Sequence, residues 1–131
     1  VKLLLDTHVW IWSIDAPTRL APAIKELVEA GEHELMLSSI TFWETVMLIE
    51  RGKLGAPIEP RVWIEHAIRE YPTTEIPVDR RIAMESRLPD MPVRDPADRF
   101  IAATARVHDA VLLTHDRALL DSPVVPTLTI D

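Results

Sequence analysis

Short apolar runs alternate along this chain with segments whose apolar residues recur every three or four positions. Strand patterns that take turns with helix patterns predict a parallel sheet covered by helices on both faces. Lys2–Leu5 reads as a first buried strand, ended by Asp6. Thr7 stands where a cap would start a helix to about Asp15, and Ala16-Pro17-Thr18 breaks it. Pro22 suits the first turn of a second helix reaching about Ala30, where Gly31 supplies a stop. Residues 35–38 read as a second strand. Ser39 or Thr41 then caps a helix from about Ile40 to Arg51, stopped at Gly52. Pro57 and Pro60 mark a loop, followed by a helix to about Glu70.

The second half repeats the pattern. Thr74–Ile76 is a third strand, Pro77 ends it, and Asp79 caps a helix to about Arg87. Residues 88–94 carry two prolines and read as a loop. Asp95-Pro96 joins a cap acceptor to a proline at the first helical position, and predicts a helix to about Val107. His108 and Asp109 turn the chain into a fourth strand at 111–114. A short helix from Asp116 to Leu120 and a last strand at 127–130 complete the series. The expected architecture is α/β: three layers, α/β/α, around a mostly parallel sheet, in one domain spanning 1–131.

Composition narrows the chemistry. The 131 residues are 47% hydrophobic, enough to bury a core without staples. With no cysteine, disulfides, thiolate metal sites and cysteine nucleophiles are excluded. That is compatible with a reducing cytoplasm. Apolar runs stay well below the ~18 residues of a membrane span. The N-terminal VKLLLDTHVW reads as a strand rather than a signal peptide, because Asp6 interrupts it and no small-residue cleavage site follows. Three glycines form no phosphate-cradling loop, which disfavours nucleotide-binding α/β domains.

The chemistry sits in the carboxylates. In a parallel α/β sheet, ligands gather at the C-terminal ends of the strands. Asp6 follows the first strand and Asp116 the fourth, so both face that end, although either alone reads equally as a helix cap. Asp98 heads the apolar stripe of Ile101, Ala102 and Ala105 and so points inward. An unpaired inward carboxylate is costly, and a helix N-terminus returns only ~1 kcal/mol. Glu44 likewise interrupts a stripe of Ile40, Met47 and Leu48, where an inward salt bridge is the plainer alternative. Oxygen-only ligand sets suit magnesium or manganese, and such ions serve phosphoryl chemistry. His8, His33, His66, His108 and His115 include no closely spaced zinc pair. His8 and His115 flank the site, where capping or solvent contact is the default and substrate contact the alternative.

Four stretches carry a family resemblance: LLLDTHVWIW (3–12), SSITFWETVMLIERGKL (38–54), DPADRFIAATA (95–105) and LLTHD (112–116). In this order and spacing they resemble PIN-domain ribonucleases, in particular the VapC-type toxins of bacterial type II toxin–antitoxin pairs. The resemblance implies a metal-dependent endoribonuclease that hydrolyses RNA phosphodiesters with metal-activated water. It implies that Asp6, Glu44, Asp98 and Asp116 hold one or two Mg2+ or Mn2+ ions. Asp95, Thr7 and Thr114 become auxiliary residues, with Asp95 chiefly a helix cap. It further implies a cytoplasmic homodimer and a VapB-type antitoxin, through which alone operator DNA is bound.

Two features pull the other way. The net charge of -7 does not resemble a generic nucleic-acid binder. Part of it belongs to the acidic cluster, and Arg80, Arg81, Arg87, Arg94, Arg99 and Arg106 concentrate basic charge in one stretch, with a plain solvated surface as the alternative; a partner protein could supply more. Arg99 in particular reads as an outward surface residue, with phosphate contact as the alternative. Trp10, Trp12, Trp43 and Trp63 are expected in the core, with base stacking or an interface as alternatives; Trp10 and Trp12 cannot share a helix face. Two other functions fit the pattern less well. An aspartyl-nucleophile phosphatase would want an acid where His8 stands, and a non-catalytic module would not need all four acids.

Overall fold

The computed structural model describes residues 2–54 and 59–128. Its strands are β1 (Lys2–Leu5), β2 (Glu34–Ser38), β3 (Thr74–Ile76) and β4 (Val111–Leu113). They form one parallel sheet in the order β3-β2-β1-β4. The helices are α1 (Thr7–Asp15), α2 (Pro22–Glu29), α3 (Ser39–Glu50), α4 (Pro60–Glu70), α5 (Arg80–Glu85), α6 (Pro96–His108) and α7 (Arg117–Leu120), with a 3-10 turn at Pro17–Arg19.

The period-two rule of strands divides the core. Leu3 and Leu5 face one side of the sheet with Leu37 and Leu113, while Leu4 faces the other with Met36 and Leu112. The first side is covered by Val9, Trp10 and Ile11 of α1, Ile24 of α2 and Ile64 of α4. The second is covered by Ile82 of α5 and by Ile101, Ala102 and Ala105 of α6. Helix α3 straddles the edge, sending Ile40 to one core and Phe42, Val46 and Leu48 to the other.

The strand order places the site. The chain runs from β1 outward through β2 to β3, then returns to set β4 on the other flank of β1. Open α/β sheets bind ligands where the order reverses, outside the C-terminal ends of the strands. Here that point lies between β1 and β4, whose register continues into an Asp6 N–H to Leu113 carbonyl bond of 3.0 Å.

Two local expectations are corrected. Asp6, not Thr7, caps α1, by accepting from the Thr7 N–H at 2.9 Å; Thr7 is the first helical residue. Ser38, not Ser39 or Thr41, caps α3, by accepting from the Ile40 N–H. In both places the strand runs almost straight into the helix, so the capping residue is the last one of the strand (Ser38) or the one directly after it (Asp6), and no loop is left to hold a separate cap. Among the described residues the expected last strand shows as a parallel bridge between Leu112 and Thr127; positions 129 and 130 of it, like Pro57, lie outside the described residues. The Asp95 cap with Pro96 behind it is as expected, and α6 ends on Asp109 in the left-handed region at φ 52.

Candidate active site

A cleft of ≈ 350 Å³ opens at the reversal point, and Asp6, Glu44, Asp98 and Asp116 all line it. Its remaining walls are His8, Val9, Trp12 and His115. Each acid arrives by a different route. Asp6 and Asp116 sit at the N-caps of α1 and α7, just past β1 and β4. Glu44 comes from the second turn of α3, and Asp98 from the first turn of α6. Capping and lining the cleft are therefore compatible roles. Asp6 takes the Thr7 N–H on Oδ1, while its Oδ2 accepts the Thr114 hydroxyl at 2.6 Å. The same Thr114 oxygen accepts the Asp116 N–H at 3.0 Å, tying the two strand-end acids together.

No Lys or Arg side chain forms an ion pair with these four acids among the described residues. Mutual repulsion shows in the proton affinities of Asp6, Glu44 and Asp98. Burial, then the charges of Asp6, Asp95, Glu44 and Asp116, push the Asp98 carboxyl up to about 7. Burial is also the main cause raising Asp6, against the lowering effect of the Thr114 and Thr7 hydrogen bonds. Glu44 is raised by burial too, opposed by the Thr7 hydroxyl. Its Oε1 is buried with no hydrogen-bond partner. An orphaned buried carboxylate oxygen within an all-oxygen, all-acidic set is what a hard divalent cation satisfies, so the residues fit such an ion.

Asp95 is closer to this chemistry than a cap alone. Its carboxylate accepts the Asp98 N–H at 3.1 Å. One ligand atom each from Glu44, Asp95 and Asp98 fall within 4.8 Å of one another. Only the packing of α3 against α6 reveals this, so spacing along the chain held no signal for it. The auxiliary hydroxyls divide similarly: Thr114 holds Asp6, whereas Thr7 meets Thr41 Oγ1 at 3.2 Å beneath Glu44.

Trp12, expected in the core with base stacking or an interface as alternatives, lines the cleft one helical turn beyond His8. Its ring stands 5.5 Å from His8 and 5.4 Å from His115. His115 Nε2 accepts the Ala21 N–H at 3.0 Å, which requires a neutral ring, and burial lowers its pKa in the same sense. His115 thus clasps the segment after the 3-10 turn, at the start of α2, to the cleft wall. Trp10 turns the other way into the core, edge-on to Phe42 and Trp63, so the two tryptophans do part. The core expectation fails for Trp43, which is 58% exposed because it follows the inward Thr41 by two residues on α3.

The arginine expectations are also corrected. Arg99 is neither outward nor in the cleft. It donates to the carbonyls of Ser86, Val93 and Leu88 and so pins the 86–93 loop to α6. Arg106 is likewise engaged within the chain, by Glu85 and Asp90, each at 3.0 Å.

Comparison with known proteins agrees with this architecture. Residues 3–123 match the family described as "PIN domain". The chain is 32% identical over 120 residues to Ribonuclease VapC22 of Mycobacterium tuberculosis, covering 89% of this chain and 88% of that protein. In fold it is similar to a chain of the DNA-bound VapBC crystal structure from Salmonella typhimurium, with a TM-score of 0.72 at 23% identity over 98% and 97% of the two chains. VapBC2 from Rickettsia felis, bound to a DNA fragment from its promoter, gives a TM-score of 0.70 at 13% identity over 100% of both chains.

Proposed function

Since this chain belongs to the PIN-domain family, among its VapC-type members, we propose that it is a divalent-metal-dependent endoribonuclease acting as the toxin of a type II toxin–antitoxin pair. The observation that carries this is the convergence of Asp6, Glu44, Asp98 and Asp116 on one cleft without a balancing cation among the described residues. Hydrolysis adds water across a phosphodiester: an oxygen–phosphorus bond forms, the bond to the leaving ribose oxygen breaks, and a water proton ends on that oxygen. Asp6, Glu44, Asp98 and Asp116 would hold Mg2+ or Mn2+, which would supply positive charge against the charge building on the phosphate and ease deprotonation of water.

The chain's own residues prepare that step. Thr114 and the Thr7 N–H fix both oxygens of Asp6, so its remaining lone pairs point at the cleft. Glu44 Oε1 stays unpaired and available. Asp95 orients the first turn of α6 and sets a fifth acid beside Glu44 and Asp98. His115, kept neutral, closes one wall without adding charge.

The same proposal takes the chain to be a cytoplasmic homodimer regulated by a VapB-type partner, with operator DNA contacted through that partner; solved chains of similar fold come from a toxin–antitoxin complex and from DNA-bound VapBC. No described helix is long and apolar enough to cross a membrane. Replacing Asp6 with Asn tests the assignment. Metal-dependent RNA cleavage and growth inhibition on expression should both be lost, and cleavage at the wild-type rate would overturn it.

A further inference from the structure

A second cleft adjoins the acidic one, and His8 and Trp12 line both. It measures ≈ 470 Å³, within the ~300–1,000 Å³ range of small-molecule sites. Its charge is opposite: Arg19, Arg51 and Lys53 line it, against the single acid Asp15. All three cations are exposed, and none is in an ion pair among the described residues. Their backbone is fixed. Gly52, at φ +67, ends α3, and the Lys53 N–H returns to the Leu48 carbonyl at 2.9 Å, which sets Arg51 and Lys53 on either side of the glycine. The Arg19 guanidinium carbon lies over the Trp12 ring, 4.2 Å from its centre, a cation–π contact.

We infer that this second cleft is a subsite for one unpaired nucleotide of single-stranded RNA, next to the phosphate cut in the acidic cleft. The inference rests on the nuclease reading above. A cluster of four carboxylates repels a polyanion, so a strand must be held by cations nearby, and these three stand beside the cleft. An unpaired base can stack on aromatic or guanidinium planes, which the Arg19–Trp12 pair offers, while Arg51 and Lys53 meet the phosphate on the strand. In a duplex the same base faces are already stacked and cannot reach Trp12. The subsite thus selects unpaired RNA and explains how an acidic chain grips a nucleic acid: the net charge of -7 conceals a local basic cleft.

The test measures binding by fluorescence anisotropy of a short labelled single-stranded RNA, and of the same sequence in a duplex, in a cleavage-dead Asp98→Asn background. Adding Arg51→Ala with Lys53→Ala should weaken single-strand binding about 10-fold and lower the slope of log affinity against log salt by about 0.7, for the one phosphate they meet. Trp12→Leu should cost about 10-fold for the single strand with the salt slope unchanged. The charge-preserving pair Arg51→Lys with Lys53→Arg should restore affinity. Unchanged affinity and slope in the alanine pair would overturn the subsite. So would weakened binding of a poly-glutamate peptide with RNA affinity intact, which would assign the cations to a protein partner. If Asp98→Asn still cleaves RNA, the failure is instead that of the nuclease site.

Discussion

Asp98 is held against its own charge. Burial and four neighbouring carboxylates raise it to about 7, and the helix N-terminus beneath it offsets only part of that cost. Removing the charge should therefore stabilise the cation-free protein even as it destroys function. Asp98→Asn is expected to raise the melting temperature in chelator at pH 8 while abolishing RNA cleavage, and calorimetry beside a cleavage assay checks both. A lowered melting temperature would contradict the repulsion argument. Thr114 acts through Asp6, donating at 2.6 Å while accepting from the Asp116 N–H. Thr114→Val should reduce metal affinity or activity by about 10- to 100-fold, the usual cost of losing a group that orients a ligand, with no loss of secondary structure. Titration of Mn2+ into wild type and variant measures this.

Element junctions decide what was legible beforehand. Strand-end acids and a carboxylate heading an apolar stripe can be read from periodicity, so Asp6, Glu44, Asp98 and Asp116 were all visible in the sequence and meet in one cleft. Contacts between elements distant in the chain leave no such trace. The pairing of Asp95 with Glu44 depends on how α3 packs on α6, and the clasp of His115 on Ala21 joins residues 94 apart. Arg99 shows the same limit, since three carbonyls from one loop turn a surface-looking arginine into a tie. No other side chain matches its planar fork, so Arg99→Met should leave three acceptors short and destabilise the fold by about 1–3 kcal/mol. Urea denaturation measures the loss, and cleavage per folded molecule should change little. A stability equal to wild type would mean that the loop is held by other contacts.

Across the molecule, proton and cation binding are linked. In the folded chain Asp98 titrates near 7 rather than at its ordinary 3.8, and Asp6 and Glu44 shift in the same direction. The folded state then holds more protons than the unfolded one between about pH 4 and 7, so cation-free stability falls as pH rises through that window. A divalent ion in the cleft removes the repulsion and binds deprotonated acids best. Mg2+ or Mn2+ should therefore raise the melting temperature more at pH 8 than at pH 5, and an equal shift at both would place the ion elsewhere. The fold itself serves this arrangement, since the strand order brings the ends of β1 and β4 together and lets α3 and α6 close over them. The most direct test is cleavage of single-stranded RNA by chelator-treated protein as Mn2+ is added back, for wild type beside Glu44→Gln. Wild type should be inert in chelator and recover with added ion, while Glu44→Gln stays at least about 100-fold slower at every concentration. Cleavage that persists in chelator, or a Glu44→Gln protein that recovers as wild type does, would contradict a cation-dependent four-acid site.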